Sequence, residues 1–95
     1  MKFLMSEQNI ENMADNAIKN KELFSKLLQN ILSKDDKIRY PSFQALLLIS
    51  EKNPELLYQK WDFIADLLKS KNSYHKYIAI YLIASLTPAD TQNKI

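Results

Sequence analysis

The 95-residue chain contains no glycine and no cysteine. Without glycine, the primed turns of tight β-hairpins, phosphate-cradling loops and dinucleotide-binding fingerprints are excluded, since each needs a positive φ or a close backbone approach. Without cysteine there is neither a disulfide framework nor a thiolate metal site, which is compatible with a cytoplasmic protein. Together with an apolar content of 46%, these absences predict a packed all-α chain that needs no cofactor.

Long apolar runs and a strong net charge are also missing. The longest apolar run covers residues 77–84 and is too short to span a membrane, and the apolar start at residues 1–5 is too short for a signal peptide. The net charge is only +2, but residues 67–89 hold three lysines and no acid. We interpret this mildly basic region first as a solvated surface and second as a binding surface for nucleic acid or an acidic partner.

The spacing of apolar residues predicts five helices and no strand. The five helices are expected at residues 7–19, 21–33, 37–52, 55–70 and 73–86. Asn20 is predicted to end the first helix and cap the second, with one continuous helix over 7–32 as the alternative. Asn53 and Pro54 supply a cap and a first-position proline for the fourth helix. Alternatively, the chain turns once at Leu57 and Tyr58 before the fourth helix begins.

The third helix is apolar around most of its circumference, as expected for a helix covered on three sides. The stripe predicted to be buried holds Ile38, Ser42, Ala45, Leu46 and Ile49. Asp35 and Asp36 precede it, where an N-cap and the positive end of the helix dipole favour acids. Pro41 conflicts with helix at this position and predicts an irregular first turn.

A shift of 37 residues superimposes the second and third helices on the fourth and fifth. The aligned pairs include Phe24 with Trp61, Ile31 with Leu68, Arg39 with Lys76, Tyr40 with Tyr77, Ser42 with Ala79, Leu46 with Ile83 and Ile49 with Leu86. Phe24 and Trp61 are therefore predicted core residues. A repeated helix–turn–helix unit of this length is typical of an α-solenoid.

The repeated unit resembles the HEAT-like, armadillo-type helical repeat family. The resemblance rests on Asp35 and Asp36 in the turn, the following Ile38 and Arg39, and the small-then-large pattern of the third helix. Residues 71–86 are a degenerate copy that lacks the aspartate. The resemblance implies an α-α superhelix, a right-handed α-solenoid of about two hairpin repeats with an N-terminal capping helix.

The expected organisation follows the repeat. It comprises a capping helix at 1–19, a first repeat at 20–53, a second repeat at 54–86 and an incomplete further repeat at 87–95. Because no covering helix follows, we expect the fifth helix to expose an apolar patch through which the chain associates with itself or with missing repeats.

No catalytic constellation is visible, so we predict that the protein is not an enzyme. His75 is the single histidine and lies in a stretch without a carboxylate, so a helix-start or half-buried position is expected rather than metal binding. Asp35 and Asp36 are interpreted as capping residues, and Arg39, with Lys76 as its counterpart, as a structural residue that bonds a turn carboxylate.

The better functional signal is a set of polar and aromatic residues on the outer ridges of the third and fifth helices. This candidate partner-binding set is Tyr40, Gln44, Tyr77 and Tyr81. In the resembled family these helices line the concave face, so the resemblance implies a non-catalytic scaffold for a protein or peptide. The alternatives are an accessory enzyme subunit, or nucleic-acid backbone binding, against which the single arginine and low net charge argue.

Overall fold

The computed structural model describes residues 7–86, which form six helices and no β-strand. The helices are α1 (Glu7–Lys19), α2 (Lys21–Asn30), α3 (Asp36–Lys52), α4 (Pro54–Tyr58), α5 (Trp61–Leu67) and α6 (Ser73–Leu86). The all-α prediction is confirmed for this part of the chain. The incomplete repeat expected at 87–95 lies outside the described residues, as does the start of the capping segment.

Helix α3 is the centre of the packing, in contact with α1, α2, α4 and α6. Helix α1 also packs on α2, and α5 packs on α6. The sequence predicts this position, because α3 is apolar around most of its circumference. In the structure α3 accordingly buries residues on several sides and not along one stripe. Its buried residues are Arg39, Pro41, Ser42, Phe43, Ala45, Leu46, Ile49 and Ser50.

The break between α1 and α2 follows the prediction. The Asn20 backbone is extended and its side chain accepts hydrogen bonds from the backbone N–H groups of Glu22, at 2.9 Å, and Leu23, at 3.3 Å. This cap satisfies two donors that have no partner within the helix. Helix α2 ends at Asn30 and not at residue 33.

The single helix predicted over 55–70 is wrong, because the structure divides it into α4 and α5. Tyr58 ends α4 and Lys60 leaves the helical region with φ −100° and ψ 24°, so the predicted alternative of an early turn describes this segment better. Leu57 and Tyr58 are both buried at this bend. Asn53 stands at the N-cap position of α4, but its side chain makes no capping hydrogen bond, contrary to expectation.

Two core predictions also need correction. Ile38 leaves 45% of its surface exposed, because the stripe that faces the core includes Arg39 in its place. Trp61 is half-buried, with its ring tilted against that of Tyr58 at 6.1 Å, so it borders the core and does not fill it. Leu46 and Phe24 are buried as predicted. Pro41 is buried inside α3, which runs through it without a break.

The turns before α3 and α6 share one hydrogen-bond pattern at the 37-residue shift. The Ser33 hydroxyl accepts from the backbone N–H of Asp35 at 3.0 Å, and Asp35 Oδ1 accepts from the N–H of Lys37 at 2.9 Å. The corresponding bonds link Ser70 to Asn72 at 3.0 Å and Asn72 to Tyr74 at 2.8 Å. Asn72 therefore takes the capping place of the aspartate, since the amide oxygen accepts the same bond.

Candidate partner-binding surface

Three of the four candidate residues form an aromatic surface where α3 and α6 lie side by side. The Phe43 ring is buried beneath it and meets the rings of Tyr77, at 6.5 Å, and Tyr81, at 6.1 Å, edge to face. The rings of Tyr77 and Tyr81 are 4.6 Å apart, one helical turn along α6. We call the exposed set of Tyr40, Tyr77 and Tyr81 the tyrosine face.

The three residues of the tyrosine face are open to solvent, while the rings of Tyr77 and Tyr81 are held in place by Phe43. Tyr40 is 41% exposed, Tyr77 54% and Tyr81 46%. The side-chain hydrogen bond with Tyr81 raises the pKa of the Tyr77 phenol, and the charges that Tyr81 and Tyr40 would carry when ionised, together with partial burial, raise it further. Tyr77 therefore stays protonated at neutral pH and can both donate and accept a hydrogen bond.

Gln44 does not share this exposure, although the sequence placed it on the same ridge. Its side chain is half-buried, and its Oε1 atom is buried without a hydrogen-bond partner among the described residues. A buried amide oxygen without a partner carries a desolvation cost. Gln44 is therefore less accessible than the three tyrosines, and we do not include it in the tyrosine face.

Two residues that the candidate set omitted extend the exposed surface of α6. Tyr74 and Ile80 are each 58% exposed. The expectation that this helix cannot hide all its apolar residues is met at Ile80, whereas Leu82 and Leu86 are fully buried. The signal that could have revealed Tyr74 is its three-residue spacing from Tyr77, which puts the two side chains on one helix face.

Arg39 anchors the turn that borders this surface. Its guanidinium is buried, donates a hydrogen bond to the backbone oxygen of Ser33 at 2.9 Å and forms an ion pair with Asp36. The Tyr74 ring stacks on the guanidinium, 4.0 Å from ring centre to Cζ. The predicted bond between Arg39 and a turn carboxylate is present. Lys76, its counterpart in the repeat, is exposed and forms no ion pair among residues 7–86.

His75 occupies the half-buried helix-start position expected for it. Its Nδ1 atom lies 3.0 Å from the Ser70 hydroxyl, and its Nε2 atom lies 3.4 Å from the backbone oxygen of Leu32. The ring therefore bridges the turn before α6 to the end of α2, which is a structural role. Within residues 7–86, no three histidine or carboxylate side chains come together as metal ligands would.

A second concave region lies between α1 and α2. It is an open cleft of about 410 Å³ whose lining includes Asn12, Asn16, Met13, Leu23 and Lys26. The polar lining residues come largely from the exposed side of α1, and Ala17 and Leu27 form part of the floor. Sequence reasoning gave this region no role, and it lies on different helices from the tyrosine face.

No family model, no curated protein and no solved structure matches this chain. Among the described residues, none of the helices has both the length and the apolar character that crossing a membrane requires.

Proposed function

We propose that this chain is a non-catalytic helical-repeat scaffold that binds a segment of a protein partner on the tyrosine face. The observation that carries the proposal is the position of Tyr40, Tyr77 and Tyr81 on adjacent helices, all exposed to solvent, with Tyr77 and Tyr81 packed over Phe43. The fold that we propose is a short α-solenoid that resembles the HEAT-like family. The turn hydrogen bonds repeated at the 37-residue shift support that proposal.

A fixed tyrosine surface suits protein recognition for two physical reasons. Tyrosine offers a large contact area and a polar tip while it has few rotatable bonds, so it loses little side-chain entropy on binding. The rings of Tyr77 and Tyr81 are already ordered by Phe43 and by each other, so part of that entropy is lost before the partner arrives. Nucleic-acid binding has less support, because Arg39, the chain's one arginine, is buried and paired.

The proposal is tested by selecting binders from an unbiased random peptide library and measuring their affinities for matched variants. We expect the double variant Tyr77→Ala/Tyr81→Ala to bind the selected peptides at least about tenfold more weakly than the original chain, because central aromatic residues dominate binding energy. The matched control is Leu23→Ala/Leu68→Ala, which removes two apolar side chains of similar exposure, 42% and 41%, from other helices or their ends.

Stability must be measured on the same variants, because Phe43 loses its ring contacts when both tyrosines are removed. We expect a loss of about 1.5–4.5 kcal/mol in the free energy of unfolding, because three aromatic pairs are removed, Phe43–Tyr77, Phe43–Tyr81 and Tyr77–Tyr81, each with a usual strength of about 0.5–1.5 kcal/mol. Circular dichroism then verifies that the variant is folded at the assay temperature. Selected peptides that bind the tyrosine variant as tightly as the original chain would refute the proposed surface.

A further inference from the structure

We propose that the partner segment combines an apolar or aromatic side chain with acidic side chains, the acids lying toward the N-terminal ends of α3 and α6. This inference rests on the proposed function and adds the chemistry of the ligand. It depends on which charges surround the tyrosine face and which of them are already paired.

Helix α6 offers an exposed apolar surface with one charge on it. Over Ser73–Leu86 the only formally charged residue is Lys76, and it is exposed beside Tyr77 and Ile80. Lys76 also precedes Ile80 by four residues, so their side chains share a helix face. A partner that covers this face removes water from the ammonium of Lys76. An anionic group on the partner compensates for that lost hydration, whereas an apolar group does not.

Two further lysines lie at the N-terminal ends of α3 and α6. Lys71, in the turn before α6, and Lys37, in the first turn of α3, are exposed and form no ion pair within the described part of the chain. Of the two nearby acids, Asp36 pairs with Arg39, while Asp35 keeps its charge and accepts the capping hydrogen bond of its own turn, so Lys37, Lys71 and Lys76 outnumber the one carboxylate without a cationic partner. The positive potential at this end of the tyrosine face is therefore available to a partner.

The opposite end of α3 has the other sign. Glu51 is exposed in the last turn of α3, whereas its neighbour Lys52 pairs with Glu11, at 3.4 Å, and Asp15, at 2.9 Å. Since Phe43 meets both Tyr77 and Tyr81, the N-terminal half of α3 lies against α6 and Glu51 lies further along. An acidic group near Glu51 would be repelled, so the charge pattern fixes the direction of the partner.

The separation along α6 sets the spacing within the partner. Lys76 and Tyr81 are five residues apart in the sequence, which is about 7.5 Å along a helix axis. An extended peptide covers that distance in about two residues. The expected motif is therefore one or two acids, a spacer of about one or two residues, and a large apolar or aromatic residue.

The test uses the random library again, now with Lys76→Glu and with Lys26→Glu as the matched control on α2. We expect the selected peptides to be enriched in Asp and Glu, and their affinity to fall about fivefold to tenfold in Lys76→Glu, because a charge facing a partner contributes modestly and is screened by salt. Lys26→Glu should change it less than about twofold, since that lysine is outside the surface. Raising the salt from 50 to 300 mM should weaken the original complex and have a smaller effect on the Lys76→Glu complex.

The possible outcomes distinguish a failure of the acidic motif from a failure of the proposed binding surface. Peptides that depend on Tyr77 and Tyr81 but carry no acidic excess, with Lys76→Glu within twofold of the original chain, would overturn the acidic motif and leave the binding surface standing. Peptides that ignore both tyrosines would overturn both. A dimer in sedimentation that is dispersed by Tyr77→Ala/Tyr81→Ala would assign the surface to a second copy and overturn the acidic motif. Single-stranded RNA that displaces the peptides would also overturn the acidic motif.

Discussion

Replacing Leu46 with alanine is expected to lower the free energy of unfolding by about 3–5 kcal/mol. Leu46 has no exposed surface and lies in the middle of α3, the helix that contacts four others. The substitution therefore removes apolar contacts and leaves a cavity that the surrounding helices cannot easily fill. A small domain has a total stability of about 5–15 kcal/mol, so urea denaturation should show a large shift of the midpoint.

The matched control is Ile38→Ala, two turns earlier on the same helix. Its side chain is nearly half exposed, so we expect a loss below about 1 kcal/mol, partly offset by the higher helix propensity of alanine. Equal losses for the two variants would contradict the packing of α3, and so would a loss below about 1 kcal/mol for Leu46→Ala.

Replacing Arg39 with methionine is expected to cost about 2–4 kcal/mol, since it removes a charge-assisted hydrogen bond, an ion pair and a cation–π contact together. Methionine keeps most of the apolar stem, so the loss reports on the guanidinium and not on packing. The Ser33 carbonyl would lose its donor, and Tyr74 would lose the cation beneath its ring. Chemical denaturation measures the effect.

Two further variants, Arg39→Lys and Lys37→Met, show whether the loss of stability is specific to the Arg39 guanidinium. Lysine cannot contact the Ser33 carbonyl and Asp36 as a planar fork does, so Arg39→Lys should recover only part of the loss. Lys37 is an exposed cation two residues earlier, and its replacement should stay within about 0.5 kcal/mol of the original chain. An Arg39→Met variant as stable as Lys37→Met would show that the Arg39 guanidinium does not stabilise the fold.

The helices could be predicted from the sequence wherever a local signal marks their ends. Asn20 breaks the chain between α1 and α2 because its amide can cap the next helix, and Asp35 does the same for α3. The bend at Lys60 has only a weak signal, since neither glycine nor proline is present there, and the sequence offered a turn at Leu57 and Tyr58 only as the alternative. The bend is accompanied by the burial of Leu57 and Tyr58, which is a tertiary feature.

The face of α3 that turns inward was predicted with an error of one residue at its start. The sequence placed Ile38 on the buried stripe and predicted a carboxylate partner for Arg39, but not its burial, and an isolated charge is costly to bury. In the structure the cost is offset by three partners, Asp36, the Ser33 carbonyl and Tyr74. Tyr74 belongs to α6, so this contact depends on the packing of distant segments and no local pattern could reveal it.

The candidate surface was found from the sequence in part. The repeat aligned Tyr40 with Tyr77, and the four-residue spacing added Tyr81, and all three are exposed. Gln44 shares the ridge by spacing alone but is half-buried. The support from Phe43 was not predicted, because a ring buried beneath a surface is visible only once the two helices are placed together.

The most direct test of the proposed binding surface is an NMR titration of the isotopically labelled chain with a peptide selected on it. Binding on the tyrosine face predicts that the ring signals of Tyr40, Tyr77 and Tyr81 and the methyl signals of Ile80 shift most. Shifts centred instead on the cleft between α1 and α2, at Leu23 and its neighbours, with the tyrosine signals unmoved, would contradict it.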